Sequence, residues 1–206
     1  MIDGCHLCPR SCGADRKGGK RGRCGMSAEI LVARAAPHMW EEPCISGTRG
    51  AGAVFFSGCP LGCVYCQNSV LSRDGYGEAV SEDRLCEIIL RLRDTGVHNI
   101  DLVTPTHYSD ALVRVLGRVR PELGIPVIYN CGGYESVETL RTLSGLVDIY
   151  LPDLKYASSE LAARYSDAAD YPVTTIVAPT GYGKTTAAQY LQRRIAAEAP
   201  DAHVFR

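Results

Sequence analysis

The sequence has no excess of either charge. Its 206 residues carry 22 Lys plus Arg against 23 Asp plus Glu, a formal net charge of −1. That excludes the strongly basic surface on which general nucleic-acid binding rests. One basic stretch, Arg16-Lys17-Gly18-Gly19-Lys20-Arg21-Gly22-Arg23, is local and reads as a solvated loop. No apolar run approaches the ~20 residues that a membrane span needs. The opening Met1-Ile2-Asp3-Gly4-Cys5 lacks the segments of a secretory leader. These absences predict a cytoplasmic chain with neither a nucleic-acid nor a membrane partner. Residues 1–48 are also poor in aliphatic side chains, too poor to build a core of their own.

Cysteine is what the sequence does have, at ten positions. In a cytoplasmic chain that number argues for metal or redox chemistry over a disulfide framework. Four of them form Cys5-x2-Cys8-x3-Cys12-x11-Cys24, among Gly, Arg and Lys. Four thiolates suffice for a tetrahedral zinc or for an iron–sulfur cluster, and either would supply the folding energy this segment lacks. A set of free thiols in a loop is the alternative. Cys44 lies too far along to belong by spacing, and His38, Trp40, Glu41 and Glu42 before it read as a packed connector.

A second set is tighter. Cys59-Pro60-Leu61-Gly62-Cys63-Val64-Tyr65-Cys66 follows Ala53-Val54-Phe55-Phe56, an apolar run that reads as a short buried strand. Three thiolates on one loop can hold three corners of a cubic iron–sulfur cluster. The loop offers no fourth ligand, so one iron stays open to a small molecule.

Hydrophobic periodicity frames this loop. The strand at 53–57 is followed by a helix capped by Ser81, with Leu85, Ile88, Ile89 and Leu92 on one face and Gly96 at its end. Then come a strand at 100–104, a helix marked by Leu112, Val115, Leu116 and Val119 and closed by Pro121, and a strand at 126–130. A helix with Val137, Leu140 and Leu143, a strand at 146–151 and a short helix from Ser159 to Tyr165 complete the series. Strands alternating with amphipathic helices predict βαβ units, a parallel sheet and chemistry at the carboxyl ends of the strands. Those ends bring the cysteine loop, Thr104-Pro105-Thr106-His107, Asn130-Cys131-Gly132-Gly133 and Asp153-Leu154-Lys155 to one rim.

The C-x3-C-x2-C loop after a first strand, with Tyr65 before the last cysteine, resembles that of radical S-adenosylmethionine (SAM) enzymes. Cys5-His6-Leu7-Cys8-Pro9-Arg10-Ser11-Cys12, Phe55-Phe56-Ser57-Gly58-Cys59, Cys66-Gln67-Asn68, Thr104-Pro105-Thr106-His107 and Tyr150-Leu151-Pro152-Asp153-Leu154-Lys155 extend the likeness. Together they look like the PflX-type homologues of pyruvate formate-lyase activating enzyme, over residues 1 to about 172. The resemblance implies a (β/α) barrel and a 4Fe-4S cluster on Cys59, Cys63 and Cys66. It implies S-adenosylmethionine on the open iron, cleaved by one electron to a 5′-deoxyadenosyl radical that takes hydrogen from a substrate. The partners it implies are an electron donor and either a glycine-bearing protein or a small molecule. Activating enzymes carry Gly-Gly-Glu after the second strand, near the methionyl amine; here Thr104 and Thr106 hold that place as candidate cofactor contacts. Asn130 is a candidate for the cofactor ribose or carboxylate, or else a turn residue. Asp153 and Lys155 are candidates for cofactor or substrate, or else a rim ion pair. His107 reads as a hydrogen-bonded structural histidine, or else as a ligand or proton carrier.

After Pro172 the pattern changes. A strand at 173–177 leads into Ala178-Pro179-Thr180-Gly181-Tyr182-Gly183-Lys184-Thr185, a phosphate-binding loop with Ala in place of its first Gly. Gly183, Lys184 and Thr185 would cradle ATP and Mg²⁺. This stretch resembles the ATPase module of large LuxR-type regulators, without the later acidic residue such an ATPase requires. The expected organisation is a Cys-rich segment at 1–48, a truncated radical SAM core at 49–172 and a P-loop fragment at 173–206, joined in one reading frame. The expected function is that of a radical SAM enzyme. The alternatives are an ATP-binding fragment and a metal-binding protein without catalysis.

Overall fold

The computed structural model describes residues 4–171. The phosphate-loop reading, with Gly183, Lys184 and Thr185, lies outside the described residues.

The central strand is β2 (Ala51–Phe56), buried along almost its whole length. Strands β4 (Ile100–Val103), β5 (Val127–Cys131) and β6 (Ile149–Pro152) follow it in parallel, each a short apolar run. Helices α3 (Glu82–Asp94) and α4 (Ser109–Leu123) fill the crossovers, and the short α5 (Val137–Thr142) leads into β6. Ser81 caps α3, its hydroxyl accepting from the Arg84 N–H at 3.1 Å, with Glu82 and Asp83 in the first turn. Helix α4 does not stop at Pro121. It runs to Leu123 and ends at Gly124, whose φ of +67° supplies the left-handed C-cap. A proline in the last turn deletes only one intrahelical bond, so Gly124 sets the end instead.

Among the described residues the sheet has six strands, in the order β3 (Glu78–Val80), β1 (Ile30–His38), β2, β4, β5, β6, and it is not wholly parallel. Strand β1 pairs antiparallel with β2 and with β3. This corrects the reading of residues 1–48 as a separate segment. Ile30, Val32 and Met26 enter the main core, and β1 covers the edge that β2 would otherwise expose. His38 lies inside β1, and Trp40 is 87% exposed, so the stretch before Cys44 is not a packed connector.

The period of two along each strand separates two faces. The outer face carries Val54, Phe56, Ile100, Leu102, Val127, Tyr129 and Tyr150 against Leu85, Ile89, Leu112, Val115 and Leu116 of the helices. Each such buried side chain contributes roughly 1.5–3 kcal/mol. The inner face carries Ala51, Ile128, Ile149 and Leu151, against which α1 (Pro43–Ser46) places Ile45. Mixed α/β layering with parallel strands continuing from β2 is the architecture of a partial barrel, and its carboxyl rim positions the site.

Candidate metal centre

The cysteine loop leaves the carboxyl end of β2. Gly58 turns the chain with φ +85°, and a Cβ there would stand 2.8 Å from the Cys24 carbonyl oxygen and against Met26. Only glycine fits both the angle and the approach. The loop is then pinned by its neighbours. The Cys59 N–H donates to the Cys24 carbonyl at 3.2 Å, and the Val64 N–H donates to the Tyr165 carbonyl at 2.9 Å. Arg10 donates to the Pro60 carbonyl at 3.1 Å and to the Leu61 carbonyl at 3.2 Å. Arg73 donates to the Cys63 carbonyl. Short helix α2 (Ser69–Ser72) brings the Ser72 hydroxyl to the Cys66 sulfur at 3.3 Å. Behind the loop stands a tyrosine-rich shell. Tyr134, Tyr156 and Tyr171 pack with Leu61 and Cys63, and α6 (Ser159–Ser166) adds Ala162.

Burial pushes the Cys59 thiol up to about 11, against the N–H groups of Gly62 and Leu61, which stabilise its anion. A metal-bound sulfur is deprotonated, and donors aimed at it favour that state. Three thiols on one loop, two of them supplied with donors, suit a soft polynuclear centre. Among the described residues no three His, Cys, Asp or Glu side chains meet where a single ion could be held. An iron–sulfur cluster does not need that, since each thiolate binds a different iron.

The other predicted residues divide. Thr104 stands at the rim after β4, with φ +58°, its N–H bonded to the Asn130 carbonyl at 2.8 Å. Thr106 does not join it. Its side chain is buried, and the hydroxyl donates to Glu135 at 2.8 Å, because a 3-10 turn at Thr106–Tyr108 rotates it away from the rim. Asn130 points from β5 down the inner face, its amide 3.3 Å from the Asp101 carboxylate and 3.5 Å from that of Glu41. Asp153 and Lys155 are exposed at the end of β6 and form an ion pair with each other. His107 is fully buried and donates from Nε2 to the Ser57 carbonyl at 2.7 Å, so it braces the start of the cysteine loop. Burial pushes its pKa down to about 3, which keeps it neutral.

Two acidic groups escaped the sequence reading. Asp101 is 0% exposed on the inner face of β4, with one carboxylate oxygen lacking a partner. Burial and the neighbouring Glu41 carboxyl push it up to about 8. A charged residue inside the apolar run Ile100-Asp101-Leu102-Val103 was the available signal. Glu135 accepts from Thr106 and from the Tyr129 hydroxyl at 3.0 Å, and burial raises it to about 7. No sequence pattern marked it.

The N-terminal cysteines sit beside the loop. Cys12 and Cys24 both border Gly22. No three of these sulfurs meet at one point, so a tetrahedral zinc finds no support in this arrangement.

Residues 53–185 match the family described as the Radical SAM superfamily, a stretch that runs past the expected boundary at 173. The chain is also 28% identical over 180 residues to an uncharacterized protein of Methanocaldococcus jannaschii, covering 83% of this chain and 51% of that one. It therefore spans about half the length of the curated relative it matches. The family implies a 4Fe-4S cluster and S-adenosylmethionine as cofactors. No helix among the described residues is long and apolar enough to cross a membrane. A cysteine loop at the carboxyl end of the first parallel strand, within a match that covers more than half of the sequence, places the chain in the radical SAM superfamily.

Proposed function

We propose that the chain binds a 4Fe-4S cluster through Cys59, Cys63 and Cys66 and acts on S-adenosylmethionine as enzymes of the activating type do, in the PflX-type branch. The observation that carries this is the loop itself: three thiols in eight residues, pinned at five backbone carbonyls or amides by groups outside the loop. Held by Cys59, Cys63 and Cys66, a cluster reduced by an electron donor would supply one electron for reductive cleavage of the sulfonium C–S bond, and a glycine-bearing partner protein or a small molecule would be the hydrogen-atom source.

The chain's residues hold and orient. Arg10, Arg73 and the Cys24 carbonyl fix the backbone of the loop that carries the three sulfurs. Ser72 donates to the Cys66 sulfur and stabilises its thiolate. Thr104 at the rim and the ion pair of Asp153 with Lys155 at the end of β6 are the contacts this reading assigns to the methionyl and ribosyl groups. Asn130 lies below them on the inner face, steered by Asp101 and Glu41. The tyrosine shell keeps water from the rear of the loop.

The test is anaerobic reconstitution of the full chain with iron and sulfide, followed by dithionite reduction. The expected result is a paramagnetic signal that shifts when S-adenosylmethionine is added, with release of 5′-deoxyadenosine and methionine. The Cys59, Cys63, Cys66→Ala triple variant loses the shifting signal. Retention of that signal by the triple variant sinks the assignment.

A further inference from the structure

Arg16 is buried, 6% exposed, and among the described residues it has no carboxylate within ion-pair distance. Its guanidinium donates to the carbonyls of Met26 at 3.2 Å, Ser27 at 3.1 Å and His107, and lies over the Tyr108 ring. Carbonyl oxygens satisfy its donors but not its charge. Buried cations are paired. It does face a cysteine. Its Nη1 stands 3.7 Å from the Cys5 sulfur.

The backbone closes these cysteines into turns. The Cys5 N–H donates to the Ala14 carbonyl at 3.1 Å, the Ser11 N–H to the Cys8 carbonyl at 3.0 Å and the Gly22 N–H to the Met26 carbonyl at 3.0 Å. Between these turns the backbone makes room. A Cβ on Gly22 would stand 3.3 Å from the Cys12 sulfur and 3.6 Å from that of Cys24, so both sulfurs border one small volume.

We infer that Cys5, Cys8, Cys12 and Cys24 hold a second iron–sulfur cluster, with Arg16 as its buried counter-charge. Four protein ligands leave this cluster no open iron, so it takes no S-adenosylmethionine. The four sulfurs need not converge on one point, since each thiolate of such a cluster binds a different iron. The site lies against the loop of the first cluster through the bond from the Cys59 N–H to the Cys24 carbonyl.

The experiment measures iron, acid-labile sulfide and zinc in the full chain, reconstituted anaerobically. In the Cys59, Cys63, Cys66→Ala variant, iron and sulfide are expected to remain in equal amounts, with a reduced-state signal that S-adenosylmethionine does not shift. Replacing Cys5, Cys8, Cys12 and Cys24 by Ser in that background is expected to remove the remainder. The wild-type chain gives an answer without any variant. Cys12 and Cys44 are both exposed. A free Cys12 would react with iodoacetamide as fast as Cys44; a ligated one is expected to resist at least tenfold longer, until chelator and oxidant destroy the centre. Equal reactivity of Cys12 and Cys44 overturns the inference. So does a triple variant free of iron, or zinc bound in its place. Failure of the first cluster leaves these readouts intact, since they use the variant that lacks it.

Discussion

Thr104 holds a left-handed backbone at φ +58°, a conformation that β-branched residues rarely adopt and that costs about 1–2 kcal/mol. Its carbonyl neighbours and the Asn130 contact hold it there. The Thr104→Gly variant is expected to unfold at higher urea, by about 1 kcal/mol, while S-adenosylmethionine binds more weakly for want of the side chain at the rim. A lower urea midpoint would mean that the threonine side chain contributes more than its backbone costs. Gly58 is the opposite case. The Gly58→Ala variant drives a methyl group into the Cys24 carbonyl and Met26 at positive φ, and is expected to cost about 1–3 kcal/mol and to expose Cys24 to alkylation. At this scale the cysteines were legible because metal ligation needs only a local spacing. The pair of Asp101 with Glu41 was not, because it joins β4 to a segment sixty positions earlier, and no local pattern records that meeting.

The crossovers between parallel strands show what an element needs beyond its own periodicity. Arg120, in the last turn of α4, makes a two-pronged bond to Asp148 at 2.7 and 2.9 Å, and Asp148 also accepts from the Val127 N–H at 2.7 Å. One carboxylate thus ties a helix end to the start of β5 and the approach to β6. The Asp148→Ala variant is expected to lose about 2 kcal/mol, because it strands the Arg120 guanidinium and the Val127 N–H together. Asp148→Asn, which keeps an acceptor, should lose less, and thermal unfolding of the two variants checks the order. Helices α3 and α4 and the parallel strands were legible, since each reads as a run with one period and a cap. Strands β1 and β3 were not. Ile30 to His38 mixes apolar and polar residues and ends in Pro37-His38, and its role as an antiparallel cover appears only once β2 has an edge to protect.

The folded molecule stores opposed responses to pH. Asp101 and Glu135 have folded pKa values of about 8 and about 7, raised from 3.8 and 4.5. Their folded forms keep protons that the unfolded chain has lost, so the stability they contribute is complete below about 4 and is lost as pH rises through the folded values. His107 runs the other way. Its pKa falls from 6.5 to about 3, so its contribution is complete above about 6.5 and is lost as pH falls. Between these limits the slopes oppose; above about 6.5 the carboxyl groups act alone. The urea midpoint is expected to fall from pH 6.5 to 8.5, and the Asp101→Asn variant to recover roughly 1–3 kcal/mol of the loss. A flat profile would show that Asp101 ionises as freely as in water. At this scale the sequence revealed the parallel half of a barrel but not its antiparallel border, nor the floor that α1 lays across its interior.

Arg10 bears on the order in which the protein is assembled. Its guanidinium reaches the carbonyls of Pro60 and Leu61, and also those of Ser166 and Asp167, the last 157 positions away. Arg23 pairs with the Asp167 carboxylate, and Leu7 accepts from Thr139. On the ribosome, then, the N-terminal cysteines emerge first and dock last. At the usual pace of translation they wait ~10–30 s before their seat exists. During that interval their segment lacks the contacts through which Arg10, Arg23 and Leu7 seat it.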